Sequence, residues 1–495
     1  MNATVLDLTG CDNPFVRHLD ACLSDNDLAE RLTYFPLQGL DLGVLSTQAR
    51  MNILDRMQLE MFEPTTTSLQ IATSLFRLIR RGYLPRNPEH PDVRRKTMAV
   101  ASFSGQELSK LPWFPTYALG MRVAGETGTG KSYEISRALN LLPSGFVQER
   151  NEKAGWTHLV QVVWLYVPMS HDGSLGGLLL NILCAMDAVA GTEYASTKSL
   201  IRLSNEKLAV RIAAILLTHG VGVLVIDELQ SRNFTGGKHG GLAATFFLRL
   251  LNFGIPVVLV GNPFGMEALD RFSQDMRRLS AGGSFDMKPM AESDFDWEAC
   301  LRPALLRYNV MPQPGIADDE AGASLFTYSG GIRDYACRIR VESQRLALGL
   351  GSEQVSLAHM KAAFEGPAFS HKDRQLIAVF RDRNPILLQE WEDIRWEMYA
   401  RDWGYFNRSQ APSSDATGEN DCSQGVGQAQ DGAACETGKT ASQRDQISMK
   451  QKRTRKANEL RKQEEIRANL KSQDMRSDGM KEYLIAGFEM LRPQS

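Results

Sequence analysis

One stretch, VAGETGTGKSYEI at residues 123–135, constrains this chain more than any other. Gly125, four residues and then Gly130-Lys131-Ser132 have the spacing of a phosphate-binding loop. The flanks supply the required context. YALGMRV (117–123) reads as a buried strand, and SYEISRALNLL (132–142) carries apolar residues at helical spacing. Glycines let the backbone curl so that several N–H groups point at one anion, and the helix start adds partial positive charge. The cradle is thus Gly125, Glu126, Thr127, Gly128, Thr129, Gly130, Lys131 and Ser132. Lys131 would reach the β- and γ-phosphates of ATP, and the Ser132 hydroxyl would ligate Mg²⁺.

From 117 to about 292 the pattern alternates. LVQVVWLYV (159–167), GVGVLVIDEL (220–229), IPVVLVGNP (255–263) and FDMKPM (285–290) read as strands. LGGLLLNILCAMDAV (175–189), EKLAVRIAAILLTHG (206–220), AATFFLRLLNFG (243–254) and MEALDRFSQDMRRL (266–279) read as helices between them. Such alternation implies an α/β fold, a parallel sheet with helices on both faces. From 293 onward the signal is helical. LPWFPTY (111–117) precedes the first strand, where Trp113 and Phe114 would either cover the adenine ring or simply pack.

Further residues complete an ATPase constellation. Asp227 ends a hydrophobic strand and would hold Mg²⁺; Glu228 beside it would orient the attacking water. Asn262 stands at the tip of the next strand, either holding that water or forming a turn before Pro263. Arg333, in TYSGGIRDYACRI (327–339), would fold back onto the γ-phosphate or lie on the surface paired with Asp334. Arg277 and Arg278, just before the last strand, are candidates for an arginine supplied to a neighbouring subunit; the alternative is a pair of basic residues offsetting a helix dipole.

Composition bounds the class. The chain has 495 residues, 43% hydrophobic and 23% charged, with a formal net charge of −2. A balance this near neutral means that any nucleic-acid surface is local. No apolar run reaches the length of a membrane span, so no membrane partner is expected. The N-terminus lacks a basic start followed by an apolar core, and so does not read as a signal peptide. Cys11, Cys22, Cys184, Cys300, Cys337, Cys422 and Cys435 are scattered, with no CxxC pair, which favours a reducing cytoplasm over a disulfide framework.

The set of loop, Asp-Glu strand, asparagine tip, arginine before the last strand and GGIRD resembles the AAA+ ATPases, on the initiator and clamp-loader side. VVWLYVP, DGSLGGLLLNIL, GTEY (191–194), VLVIDELQ, VVLVGNP, FTYSGGIRDYACRI and FSHKDRQLIAVFRDRNPILLQEWEDI (369–394) more specifically resemble the TnsC/TniB transposition regulators, TnsC above all, over about 70–400. The resemblance implies an AAA+ core at 96–292 and a small all-helical lid with its extension at 293–408. It implies a bacterial, DNA-associated regulator that assembles with itself as a ring or filament on double-stranded DNA. An N-terminal region, 1–95, would meet a target selector (TnsD/TniQ-like), and the C-terminal region transposase subunits (TnsA/TnsB-like). Thr197, Lys198 and Arg202 match the stretch that tracks a phosphate backbone in that family; a solvated loop is the other reading.

Residues 409–440 are a Ser/Gly/Asp/Gln-rich linker expected to be disordered. The tail, 441–495, reads as helical and basic: between Arg444 and Arg476 stand eleven Lys/Arg and five Asp/Glu. That charge suits DNA, an acidic partner or a solvated helix. A clamp- or helicase-loader ATPase of DNA replication is the competing functional reading of the same core.

Overall fold

The structure is a computed structural model that describes residues 12–19, 24–102, 118–229, 239–270 and 273–405. Trp113, Phe114, the 409–440 linker and the basic tail lie outside these residues. The strands are β1 (Gly120–Gly125), β2 (Gly145–Gln148), β3 (Leu159–Val162), β4 (Trp164–Pro168), β5 (Val223–Leu229), β6 (Val257–Gly261) and β7 (Ser284–Met287). Five form one sheet in the order β4-β5-β6-β1-β7, with every neighbouring pair parallel.

The helices preceding the sheet are α1 (Asp25–Leu32), α2 (Thr47–Glu60), α3 (Thr66–Tyr83) and α4 (Pro91–Ser102). Next come α5 (Lys131–Leu139), α6 (Leu175–Ala190), α7 (Lys198–Ile201), α8 (Asn205–Thr218), α9 (His239–Asn252), α10 (Pro263–Asp270) and α11 (Ser273–Ser280). The helical part adds α12 (Arg302–Arg307), α13 (Asp318–Ser329), α14 (Arg333–Gly349), α15 (Leu357–Glu365), α16 (His371–Asp382) and α17 (Trp396–Asp402). No described helix is long and apolar enough to cross a membrane.

Successive strand side chains point to opposite faces, so a strand covered on both sides must be apolar throughout. Leu224, Ile226, Val257 and Leu259 face one core, with α6, α8 and α9. Val223, Val225, Val258 and Val260 face the other, with α3 and α5. A third core, built around Trp297, Leu305, Tyr308 and Ile339, holds the lid together and also takes in Leu54 and Met57 of α2. The residues expected as an N-terminal partner-binding region therefore supply packing to the sheet and to the lid alike.

Two elements differ from their sequence reading. The apolar run 159–167 is not one strand. β3 pairs antiparallel with β2, and the chain then crosses to the main sheet as β4. Val163 sits at the crossing, donating to the Ser144 carbonyl at 2.8 Å and accepting from Val223 N–H at 3.1 Å. Both segments are buried, so hydrophobicity alone carries no mark of the change in hydrogen-bond partner. The helix read at 266–279 is two, α10 and α11, the first starting at Pro263, where the ring's fixed φ suits a first helical position.

α3 shows how the N-terminal part is built in. Thr65 caps it, its side chain accepting from Ser68 N–H, and Ile71, Leu75, Leu78 and Ile79 repeat at helical spacing toward the sheet. Leu75 is fully buried. We expect Leu75→Ala to cost about 3 kcal/mol of unfolding free energy, read as a lower midpoint in chemical denaturation. A detachable N-terminal module would leave the midpoint of the nucleotide core unchanged.

Candidate nucleotide site

The loop between β1 and α5 opens onto a cavity of about 1110 Å³. Of the residues expected from sequence, Thr127, Gly128, Gly130, Lys131, Ser132, Asp227, Glu228, Asn262 and Arg333 line it. Gly125, Glu126 and Thr129 do not; they support the loop from beneath. A Cβ on Gly125 would stand 2.3 Å from the Met287 carbonyl oxygen on the adjacent strand. Gly130 has φ +98°, left-handed backbone that favours glycine, and it caps α5 without a side-chain bond. The first N–H groups of α5 thus remain open to an anion.

Lys131 is folded back, its Nζ donating to the Glu126 carbonyl at 2.7 Å. Burial lowers the pKa of its ammonium. The Glu126 side chain accepts from the Tyr399 hydroxyl at 3.1 Å. Burial pushes that carboxyl up to about 7.

Asp227 and Glu228 end β5 at a break in the ladder between Ile226 and Leu229. Glu228 adopts φ +60°, a left-handed conformation that costs a non-glycine residue on the order of 1–3 kcal/mol. One Asp227 oxygen accepts from the Glu228 N–H at 2.6 Å, and the other from the Tyr166 hydroxyl. Tyr166 escaped the sequence reading. Its signal was a hydroxyl on an otherwise apolar strand; the register Pro168↔Asp227 then brings it beside the carboxylate. Asn262 lines the cavity, and its Oδ1 accepts from Gly265 N–H at 2.7 Å and caps α10, the turn-forming use.

Arg333 lies at the start of α14 and is buried rather than on the surface. Its partner is Glu134 of α5, not Asp334, which pairs with Arg338. Arg277 and Arg278 end α11 and do not line this cavity; Arg277 is exposed and Arg278 half-buried. Thr197, Lys198 and Arg202 are exposed around α7, away from the cavity lining, with the Thr197 hydroxyl donating to the Glu193 carbonyl at 2.8 Å.

Residues 117–269 match the family described as an AAA domain. The chain carries an AAA+ P-loop ATPase domain. No curated protein matches the sequence. Three solved structures illustrate the similarity. The Aeropyrum pernix ORC1 protein in complex with DNA is 16% identical over 62% of this chain and 72% of that one, with a TM-score of 0.33. Cdc6p from Pyrobaculum aerophilum is 14% identical over 64% and 85%, with a TM-score of 0.34. The Thermotoga maritima RuvB Holliday junction branch migration motor is 12% identical over 63% and 80%, with a TM-score of 0.31.

Among the residues lining the AAA+ cavity, the Ser132 hydroxyl at the start of α5 and the Asp227 carboxylate near the end of β5 would hold a divalent cation. Among the described residues no cluster of three or more His, Cys, Asp or Glu could hold a metal alone. That sparse set fits Mg²⁺, which keeps waters and takes its other ligands from phosphates. When bound, Mg²⁺ would neutralise charge on the phosphate oxygens. Lys131 and the α5 N–H groups would hold the phosphates, Glu228 would orient water, and Asn262 would fix that water's far side.

Two outcomes follow from these contacts. Tyr166→Phe removes the hydrogen bond that competes for Asp227; half-maximal ATPase should need roughly three- to tenfold less Mg²⁺ in a titration. Glu126 titrates higher in the folded chain than its ordinary 4.5. A raised carboxyl pKa contributes stability at low pH that is lost as pH climbs through about 7. Glu126→Gln, which keeps the acceptor for Tyr399, should therefore gain on the parent between pH 5 and 8, by roughly 3 kcal/mol at most. Denaturation curves across that range would reveal a pH-independent gap if the carboxyl were not held protonated.

Proposed function

We propose that this AAA+ ATPase assembles on target double-stranded DNA in an ATP-dependent way and regulates transposition, connecting a target-site selector to the transposase. The observation that carries self-assembly is the position of Arg277 and Arg278. They end α11 outside the cavity of their own chain, which otherwise holds loop, metal ligands, water-orienting glutamate and asparagine. An arginine from a neighbouring copy completes such a site and is worth roughly 10³–10⁵ in rate in other phosphoryl-transfer proteins. ATP then measures assembly.

The transposition reading rests on the TnsC/TniB-like stretches from 162 to 394, in a bacterial, cytoplasmic setting. Exposed Thr197, Lys198 and Arg202 suit contacts to a phosphate backbone, which position a protein without reading sequence. The selector would meet the N-terminal region and the transposase subunits the region after 409.

The test is ATPase rate and particle size, with and without duplex DNA, in ATP and in ADP. We expect growth into rings or filaments only with ATP and duplex, together with DNA-stimulated hydrolysis. Glu228→Gln should bind ATP, turn it over poorly and remain on DNA longer. A monomer indifferent to DNA sinks the assembly reading. A chain that deposits a separate ring on DNA and leaves favours the loader alternative.

A further inference from the structure

The far wall of the nucleotide cavity belongs neither to the sheet nor to the first lid helices. It is formed by Glu390, Trp391, Glu392 and Asp393, a run between α16 and α17. Three of these four side chains are carboxylates, and they face a site built for a polyanion. Asp393 is exposed and lines the same cavity as Lys131.

The run is pinned on both sides. Leu388 and Ile394 are buried in the lid core. Beyond it, Arg395 donates to the Pro263 carbonyl at 3.1 Å and lies over the Phe264 ring, next to Asn262 at the tip of β6. Tyr399 packs edge-to-face on Phe380 and tilted against Trp403, at ring separations of 5.1 and 5.2 Å, and its hydroxyl reaches Glu126 inside the phosphate loop. Asp402 pairs with Lys288, just past β7. The segment thus crosses the open edge of the site, touching the tip of β6, the phosphate loop and the end of β7.

We infer that residues 390–402 are a strap that opposes triphosphate: its carboxylates, Asp393 among them, line the same cavity as Lys131, and the Tyr399–Glu126 bond holds the loop in its self-satisfied form. This rests on the site taking ATP. A triphosphate brings several negative charges beside the carboxylates of the strap, and like charges repel. Nucleotide entry therefore loosens the strap, and the chain that continues from it senses the occupancy of the site. A diphosphate, with less charge, loosens it less.

The experiment uses the full-length chain without DNA, so that it is independent of the assembly reading. Fluorescent ATP and ADP analogues are titrated against the parent, Asp393→Asn and Tyr399→Phe, and hydrogen exchange is followed across 390–402. Asp393→Asn changes one exposed charge, and Tyr399→Phe keeps the packed ring. We expect Asp393→Asn to tighten ATP roughly five- to tenfold and ADP by less. Exchange in 390–402 should rise with ATP in the parent, and without nucleotide in Tyr399→Phe. Unchanged or weakened ATP affinity in Asp393→Asn, or exchange indifferent to ATP in a parent that binds it, overturns the strap while leaving the ATPase reading intact. A parent that binds no ATP overturns both.

Discussion

The ion pair between Arg333 and Glu134 joins the lid to the helix that begins at the phosphate loop. Both side chains are more than nine-tenths buried, at 8% and 2% exposure. Burying two charges is expensive unless geometry and additional hydrogen bonds offset the lost hydration. Here Arg333 also donates to the Glu63 carbonyl at 3.1 Å and lies over the Phe62 ring at 5.1 Å. The backbone adds Asp334 N–H to the Gly128 carbonyl at 3.0 Å. Lid, loop and the segment entering α3 therefore meet at one point. The arginine that the sequence assigns to sensing the γ-phosphate is the same one that holds the lid. To recruit it, a triphosphate must outcompete Glu134, whose own pKa burial has raised.

How much of this was legible in the sequence follows from the range of each interaction. The loop, Asp227, Glu228 and Asn262 were readable because their chemistry needs particular residues at strand ends, and strand ends are marked locally. The parallel sheet was readable from alternation, and the sequence match over 117–269 agrees with it. The Arg333–Glu134 pair was not, since its members are 199 residues apart and nothing local marks either as the partner of the other. Tyr166 and Tyr399 were hidden for the same reason. Each looks like core packing until register or docking brings its hydroxyl to a carboxylate. The split of 159–167 into β3 and β4 was invisible because both segments are equally apolar.

The N-terminal helices show a further limit of reading by segment. α3 looks like a separate amphipathic helix, yet Gly82 is packed so closely that a Cβ would meet the Pro256 ring at 2.5 Å. Tyr83 is wholly buried and donates to the Gly220 carbonyl at 2.7 Å. α2 goes to the lid instead, with Arg50 reaching the Val310 carbonyl and Arg345 pairing with Asp55 at 2.8 Å. Residues before the loop thus bind both halves of the ATPase. A partner that grips this region would act on the angle between sheet and lid, and so on the cavity between them.

The site has two edges of different character. Its water-orienting edge is fixed by backbone: Asn262 N–H donates to the Leu229 carbonyl at 3.1 Å, and Asn262 also caps α10. A Cβ on Gly265 would stand 2.0 Å from that same carbonyl oxygen, so the turn has no room to relax. Its phosphate edge is built from charged side chains, Lys131 on its loop carbonyl and Arg333 on Glu134, with Asp393 lining the same cavity. The lid and the segment after α16 supply charged groups to one edge, while the backbone at the end of the sheet fixes the other.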